Sequence, residues 1–247
     1  NRTLRQRIGR QKMPIAKALD AVERDLARKG VLAFDPAHDA LERDQAVAAT
    51  VEASLELLDA AERQRYAELA IFPQDVPIPL ASAAELWQIT AGLDATQAEE
   101  LVSSRLEPLS LLDYDAGSGT LRVHDVLRSY LSLKLTDKAA LHLSLAEHWG
   151  ERPARDHAYA WRWLAFHLAQ AALASAQPQR HGLVERLLVL VGNTDWQQAH
   201  EQALADLPAL REALSCALDA AVSDDLPLGV PLIVDAADTL TRFRRRH

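Results

Sequence analysis

The sequence predicts a mainly α-helical chain with a single β-hairpin, and three observations carry that prediction. Capping-box spacings recur ahead of apolar residues three and four apart, at Asp59/Glu62, Ser82/Glu85, Asp94/Gln97 and Thr194/Gln197. The stretch Ala116-Gly117-Ser118-Gly119 separates two short apolar runs and carries the glycines that a tight hairpin turn uses. Pro73, Pro77 and Pro79 lie close together and forbid a helix, because each removes a backbone donor and biases the preceding residue to extended conformations.

Taken in order, residues 1–50 place Ile15, Leu19, Val22 and Leu26 at helical spacing and stop at Lys29-Gly30, which predicts two helices. After Ser54, Leu55 and Leu58, the helix opened by Asp59 is expected to reach about Phe72, with Tyr66, Leu69 and Ala70 inward. The proline-rich connector follows. Ser82 is expected to open a short helix through Leu86, Trp87 and Ile89 to Gly92. Asp94 opens a third through Ala98, Leu101, Val102 and Leu106, ending before Pro108. Leu109–Asp115 and Thr120–Val123 form the hairpin, and Asp125 is expected to cap a helix carrying Val126, Leu127, Tyr130 and Leu131. Helix, helix, helix, hairpin, helix is the order of a winged helix.

From Thr136 onward the pattern is helical throughout: Leu141, Leu145 and Trp149; Trp161, Leu164, Ala165, Leu168 and Ala172; Leu183, Leu187 and Leu190. Trp196 and Ala199 follow Thr194, Asp206 opens Leu207, Leu210 and Leu214, and Pro227 and Pro231 interrupt the end. Helical pairs of this kind fit a helical-repeat-like layer. The expected organisation is therefore a helical segment at 1–50, a winged-helix domain with one β-hairpin at 51–135, and an α-helical domain at 136–247.

Charge narrows the function. The 247 residues hold 27 Lys+Arg against 35 Asp+Glu, a net charge of −8, which excludes a generally nucleic-acid-seeking surface. Five basic residues and no acid fall in Asn1–Lys12, and four more basic residues in Arg242–His247, so the body is strongly acidic. The one cysteine, Cys216, permits no internal disulfide and fits a reducing, cytoplasmic setting. No apolar run has membrane-spanning length, and the Arg-rich start lacks an apolar signal region. Scarce lysine beside abundant Ala and Leu fits a GC-rich bacterial gene. A start at Asn1 and an end at Arg244-Arg245-Arg246-His247 read as an excerpt from a longer protein.

Catalytic and metal motifs are missing. No glycine precedes a lysine, so there is no phosphate-cradling loop. Gly117-Ser118-Gly119 lies in a strand-turn-strand context, not the strand-turn-helix of a nucleophile elbow. The nine histidines, among them His142, His148, His157 and His167, match no zinc spacing, and surface or hydrogen-bonded roles are expected for them. Tyr159, Trp161, Trp163 and Phe166 could stack bases, but no basic groove accompanies them; core packing is the reading, as for Trp87 and Trp196. The candidate recognition helix, Asp94 to Leu106, sets Asp94, Glu99 and Glu100 against Arg105 alone, so it would repel DNA phosphates. On the residues alone, His124-Asp125 at a strand-to-helix junction is a helix cap with a partly exposed histidine.

Several stretches together resemble the NB-ARC-type STAND ATPases, in their apoptotic branch. Leu69-Ala70-Ile71-Phe72-Pro73-Gln74-Asp75-Val76-Pro77-Ile78-Pro79, followed by Leu86-Trp87, is similar to that family's helix end and proline connector. Ala98-Glu99-Glu100-Leu101-Val102 and Leu109-Ser110-Leu111-Leu112-Asp113 resemble its third helix and first wing strand. Val123-His124-Asp125-Val126-Leu127 takes the place of its Met-His-Asp motif, with Val123 standing where the family has Met. Tyr159 to His167 and Asp195-Trp196 resemble the helical domain that follows.

The resemblance implies that His124 contacts the phosphate of ADP held by a separate P-loop domain, and that Asp125 caps the helix and orients the junction. It implies no cofactor in this chain alone, but ADP or ATP with Mg in the parent. It further implies partners in the P-loop domain and a C-terminal sensor, and a homo-oligomer on activation, without membrane or DNA. The chain itself would hydrolyse nothing, since P-loop and metal-binding aspartate motifs are missing. Two rival readings remain: a winged-helix DNA-binding transcription regulator with a helical interaction domain, and a helical-repeat scaffold that binds a peptide.

Overall fold

Two compact units divide the chain in the computed structural model, which describes residues 52–223: one takes 52–87 and 93–135, the other 88–92 and 136–223. The fold is mainly helical, with one small antiparallel sheet of three strands in the first unit. The helices expected over 1–50, Pro227, Pro231 and the basic ends lie outside the described residues.

The first unit opens with a helical turn at 52–55 and then α1 (Ala60–Glu68). Asp59 caps α1 as its spacing predicts: its carboxylate accepts from the Glu62 amide at 2.8 Å, and the Glu62 carboxylate accepts from the Asp59 amide at 2.9 Å. A 3₁₀ turn at Leu69–Ile71 ends the helix, and Phe72 is extended ahead of Pro73. The connector then does something the prolines concealed. Ile78–Pro79 is strand β1, and its order in the sheet is β1-β3-β2. Proline is tolerated there because β1 is an edge strand.

Helix α2 (Leu80–Ala91) starts directly after β1, so Ser82 is buried inside it and caps nothing. The reason is tertiary: the Leu80 amide already has a partner in the Gly119 carbonyl at 2.8 Å, so the chain can turn into helix two residues early. Trp87 is fully buried and donates its indole N–H to the Arg65 carbonyl at 2.9 Å. Helix α3 (Ala95–Glu100) has the expected Asp94/Gln97 capping box. It does not stop before Pro108 but continues as a π-helical stretch, Leu101–Leu106, and a 3₁₀ turn, Glu107–Leu109, in which Pro108 occupies an early position without a missing bond.

Strands β2 (Asp113–Asp115) and β3 (Thr120–Arg122) pair with Asp113 opposite Arg122 and Asp115 opposite Thr120. Of the turn glycines only Gly119, at φ +64, needs the left-handed freedom. Helix α4 (Asp125–Lys134) closes the unit, burying Leu127 and Leu131.

Among the described residues the second unit has five helices: α5 (Lys138–Trp149), α6 (Ala158–Ala174), α7 (Gln179–Gly192), α8 (Thr194–Leu204) and α9 (Leu207–Ser223). Helix α6 packs against all four others. It is apolar nearly all round, and Ala160, Ala165, Ala169, Ala171 and Ala172 let its neighbours approach closely. Asn193, not Thr194, is the N-cap of α8, its side chain accepting from Asp195 and Trp196; Gln197 instead donates to the Val191 carbonyl at 2.7 Å. Asn is the stronger cap of the two neighbouring candidates.

Candidate functional site

The candidate site is the corner where β3 runs into α4. Along this segment Leu121 and Val123 are buried and Arg122 and His124 are exposed, the alternation of a strand with one face on a core. That alternation turns His124 outward. Its backbone is extended, at φ −65 and ψ 144, and its carbonyl accepts the Arg128 amide at 2.8 Å, so His124 is itself the N-cap residue of α4. Asp125 is therefore the first helical residue, not the cap; its charge favours the positive end of the helix dipole instead.

Both sides of the corner are anchored. The Tyr66 hydroxyl, buried, donates to the Leu111 carbonyl at 2.6 Å, two residues before β2. Burial also pushes the Tyr66 hydroxyl pKa far above its ordinary value, so the phenol stays a donor. One turn into α4, Arg128 donates from Nε to the Phe72 carbonyl at 2.9 Å, fastening the helix to the end of the 3₁₀ turn. At the turn, Asp115 accepts from Ser118 Oγ at 2.7 Å and from the Gly117 amide at 2.9 Å, which lowers its carboxyl pKa, the hydroxyl bond counting most. Ser118 is thus a turn residue.

His124 Nε2 lies 3.3 Å from Asp113 Oδ2, with the imidazole 57% and the carboxylate 71% exposed. Asp113 carries no motif of its own in the sequence. The hairpin register could have found it, because Asp113 sits opposite Arg122 and hence diagonal to His124, within reach of a long side chain. The remaining charges near the corner, Asp115, Arg122 and Asp125, leave a surplus of acid. The corner therefore fits one contact to a phosphate oxygen through the outward imidazole, but it has no ring of donors with which to hold a nucleotide by itself.

The other motifs resolve into structure. Arg105, the single basic residue of the candidate recognition helix, is committed to the Glu62 carboxylate and donates to the Leu57 carbonyl at 3.0 Å. This bond chiefly lowers the Glu62 carboxyl pKa. Trp161 and Trp163 are buried, and Tyr159 and Phe166 are half-buried, so no open stacking face exists on α6. His157 caps α6, while His142, His167 and His200 are buried. Among the described residues, no group of three or more His, Cys, Asp or Glu is placed to hold a metal ion, and no helix is long and apolar enough to cross a membrane. Burial raises the Cys216 thiol to about 11, which leaves little thiolate for reaction.

No family model matches the chain. Over 163 residues it is 24% identical to apoptotic protease-activating factor 1 of Danio rerio, a stretch that covers 62% of this chain and 12% of that protein. The chain thus spans only a small part of the length of the curated relative it matches. The likeness is distant and points toward an NB-ARC-like relationship.

Proposed function

We propose that the chain is the non-catalytic regulatory part of a STAND-type signal-transduction ATPase. The first unit would report the nucleotide held by a separate P-loop domain, and the helical region from 136 onward would lead to a sensor. The observation that carries this reading is the outward imidazole of His124, held on a corner whose flanking residues are fastened into a core. The distant likeness to an apoptotic protease-activating factor supports the same class.

The mechanism follows from what such a corner can do. A histidine N–H can donate to a phosphate oxygen, and it can do so only when the P-loop domain lies against the corner. ADP and ATP differ in where that oxygen sits. A contact made in one state and lost in the other biases the winged helix between closed and open placements, by no more than the difference between the two contacts. The open placement would let protomers assemble. ADP or ATP with Mg would be held by the P-loop domain; this chain supplies only the imidazole and the surface around it. The Glu62 clamp on Arg105 counts against the DNA-binding alternative.

The test joins the chain to the P-loop domain of its parent and follows release of a fluorescent ADP. His124→Ala is expected to speed release by roughly fivefold to tenfold, the worth of one hydrogen bond. Unchanged release would remove His124 from the mechanism.

A further inference from the structure

The pairing of His124 with Asp113 has a consequence for how the corner meets an anion. Histidine Nε2 can make one hydrogen bond, and Asp113 Oδ2 already stands 3.3 Å from it. A phosphate oxygen directed at Nε2 would compete for that same position, and it would meet the Asp113 carboxylate as a like charge at close range. Asp113 is the first residue of β2 and is set by the hairpin register, so it cannot leave without the hairpin moving; only its side chain can swing away. Being 71% exposed, that side chain is free to rotate into solvent.

We propose that Asp113 is a competing acceptor for His124, so that carboxylate and phosphate exchange on one ring nitrogen. The corner is then a two-position latch: the imidazole is parked on Asp113 when no phosphate is presented, and transfers when one is. This deepens the reading given above and rests on it for its biological role. The competition itself is a property of this chain and is testable without the P-loop domain.

Such a latch has two effects that a lone histidine would not have. It keeps the ring pointed along one direction while it waits, which lowers the ordering cost of the contact. It also weakens the contact once made, because the displaced carboxylate remains nearby and repels the anion. A switch that must open benefits from the second effect. Arg122, directly across from Asp113 in the register, offers the displaced carboxylate an alternative partner on the same side of the hairpin.

The test uses the 247-residue chain and its histidine ring signals in NMR, with the His124 signal assigned by its loss in His124→Ala. Inorganic phosphate is titrated at constant ionic strength against chloride. In the unaltered chain the His124 signal is expected to respond weakly. In Asp113→Ala the phosphate concentration for half the response should fall roughly threefold to tenfold, the effect of removing one adjacent like charge in water. Asp113→Asn keeps the side-chain shape and an acceptor oxygen while removing the charge, so it should fall in the same direction by a smaller factor. Because Asp113 is exposed, neither variant threatens the fold, and an unchanged ring signal from the buried Tyr66 of the same unit checks this.

A His124 response identical in all three chains, or a response absent from all of them, overturns the competition. The parent-level measurement separates the two claims. If His124→Ala alters ADP release while Asp113→Ala leaves the phosphate titration unmoved, the function stands and the latch falls. The reverse pair of outcomes keeps the latch as a property of the hairpin and removes its role in nucleotide sensing.

Discussion

Histidine is used in opposite ways in the two units. In the first, His124 stands at a strand-helix corner with its ring outward, 3.3 Å from a solvent-exposed carboxylate. In the second, three histidines are sealed into the helical core. His142 and His167 meet Nδ1 to Nδ1 at 2.9 Å between α5 and α6, edged by Trp149 and Phe166. His200 of α8 lies against the rings of Trp161 and Trp196. The bridge between His142 and His167 requires one ring to donate and the other to accept, so the pair shares a single proton between the facing nitrogens. What differs is the solvent, not the residue: an imidazole in water can exchange partners, whereas burial holds His167 and His200 to their neutral forms.

Four measurements break or sharpen this contrast. The largest effect is expected from Trp196→Ala. Its ring is buried, its indole N–H donates to the Glu151 carbonyl at 2.8 Å, and it walls His200, so the loss should be about 3–5 kcal/mol in urea denaturation. A loss under about 1 kcal/mol would mean that the second core does not depend on this cluster.

Acid comes next. Burial, with the nearby charge of Arg162 second, pushes His200 down to about 4, and burial, with His142 second, holds His167 well below 6.5. The sign follows from which state takes the proton. Below about pH 6.5 the unfolded chain binds protons that these buried rings refuse, so stability is full above that pH and declines as pH falls toward the folded values. The slope is roughly 1.4 kcal/mol per pH unit for each ring. Four of the five tryptophans, at 149, 161, 163 and 196, lie in the second unit, so fluorescence-monitored urea midpoints report mainly on it. Midpoints at pH 7 and pH 5 should differ, and His200→Phe should flatten the difference. Equal midpoints would contradict the neutral burial of these rings.

The third effect is local to the first unit. Asp59→Ala removes the side-chain half of a formed capping box and should cost about 1 kcal/mol, whereas Asp125→Ala removes only a charge beside the helix end and should cost a few tenths. Equal losses in thermal melts would return Asp125 to the role of cap. The smallest effect is His124→Ala, whose stability should stay within about 0.5 kcal/mol of the unaltered chain, since its side chain is 57% exposed and caps nothing. A large loss there would make His124 a structural residue and weaken the case for a contact residue.

Much of the fold was legible because its signals are local. The Asp59/Glu62 and Asp94/Gln97 boxes, the Gly119 turn and the inward stripe of Tyr66, Leu69 and Ala70 each depend on residues within one or two turns of chain. The misreadings share the opposite cause. Ser82/Glu85 and Thr194/Gln197 have the capping spacing, yet in each case a backbone or side chain elsewhere had already provided for the helix start. Strand β1 was hidden because two residues carry no periodicity, and its pairing partner Leu121 lies more than forty positions away. At the candidate site, the motif points to His124, whereas the contacts of Asp113 and Arg128 have no sequence signal, because a diagonal pair and a carbonyl contact across the fold leave no spacing to count.

The sequence by itself therefore determined the helix content, the hairpin, its turn and the outward alternation that exposes His124, since each rests on short-range sterics and on the period of apolar residues. Only the tertiary structure decided which histidines lose water, which carboxylate reaches His124 and which arginine is already engaged. Burial and pairing of charges depend on what distant segments bring to the same place, and no count along the chain contains that distance.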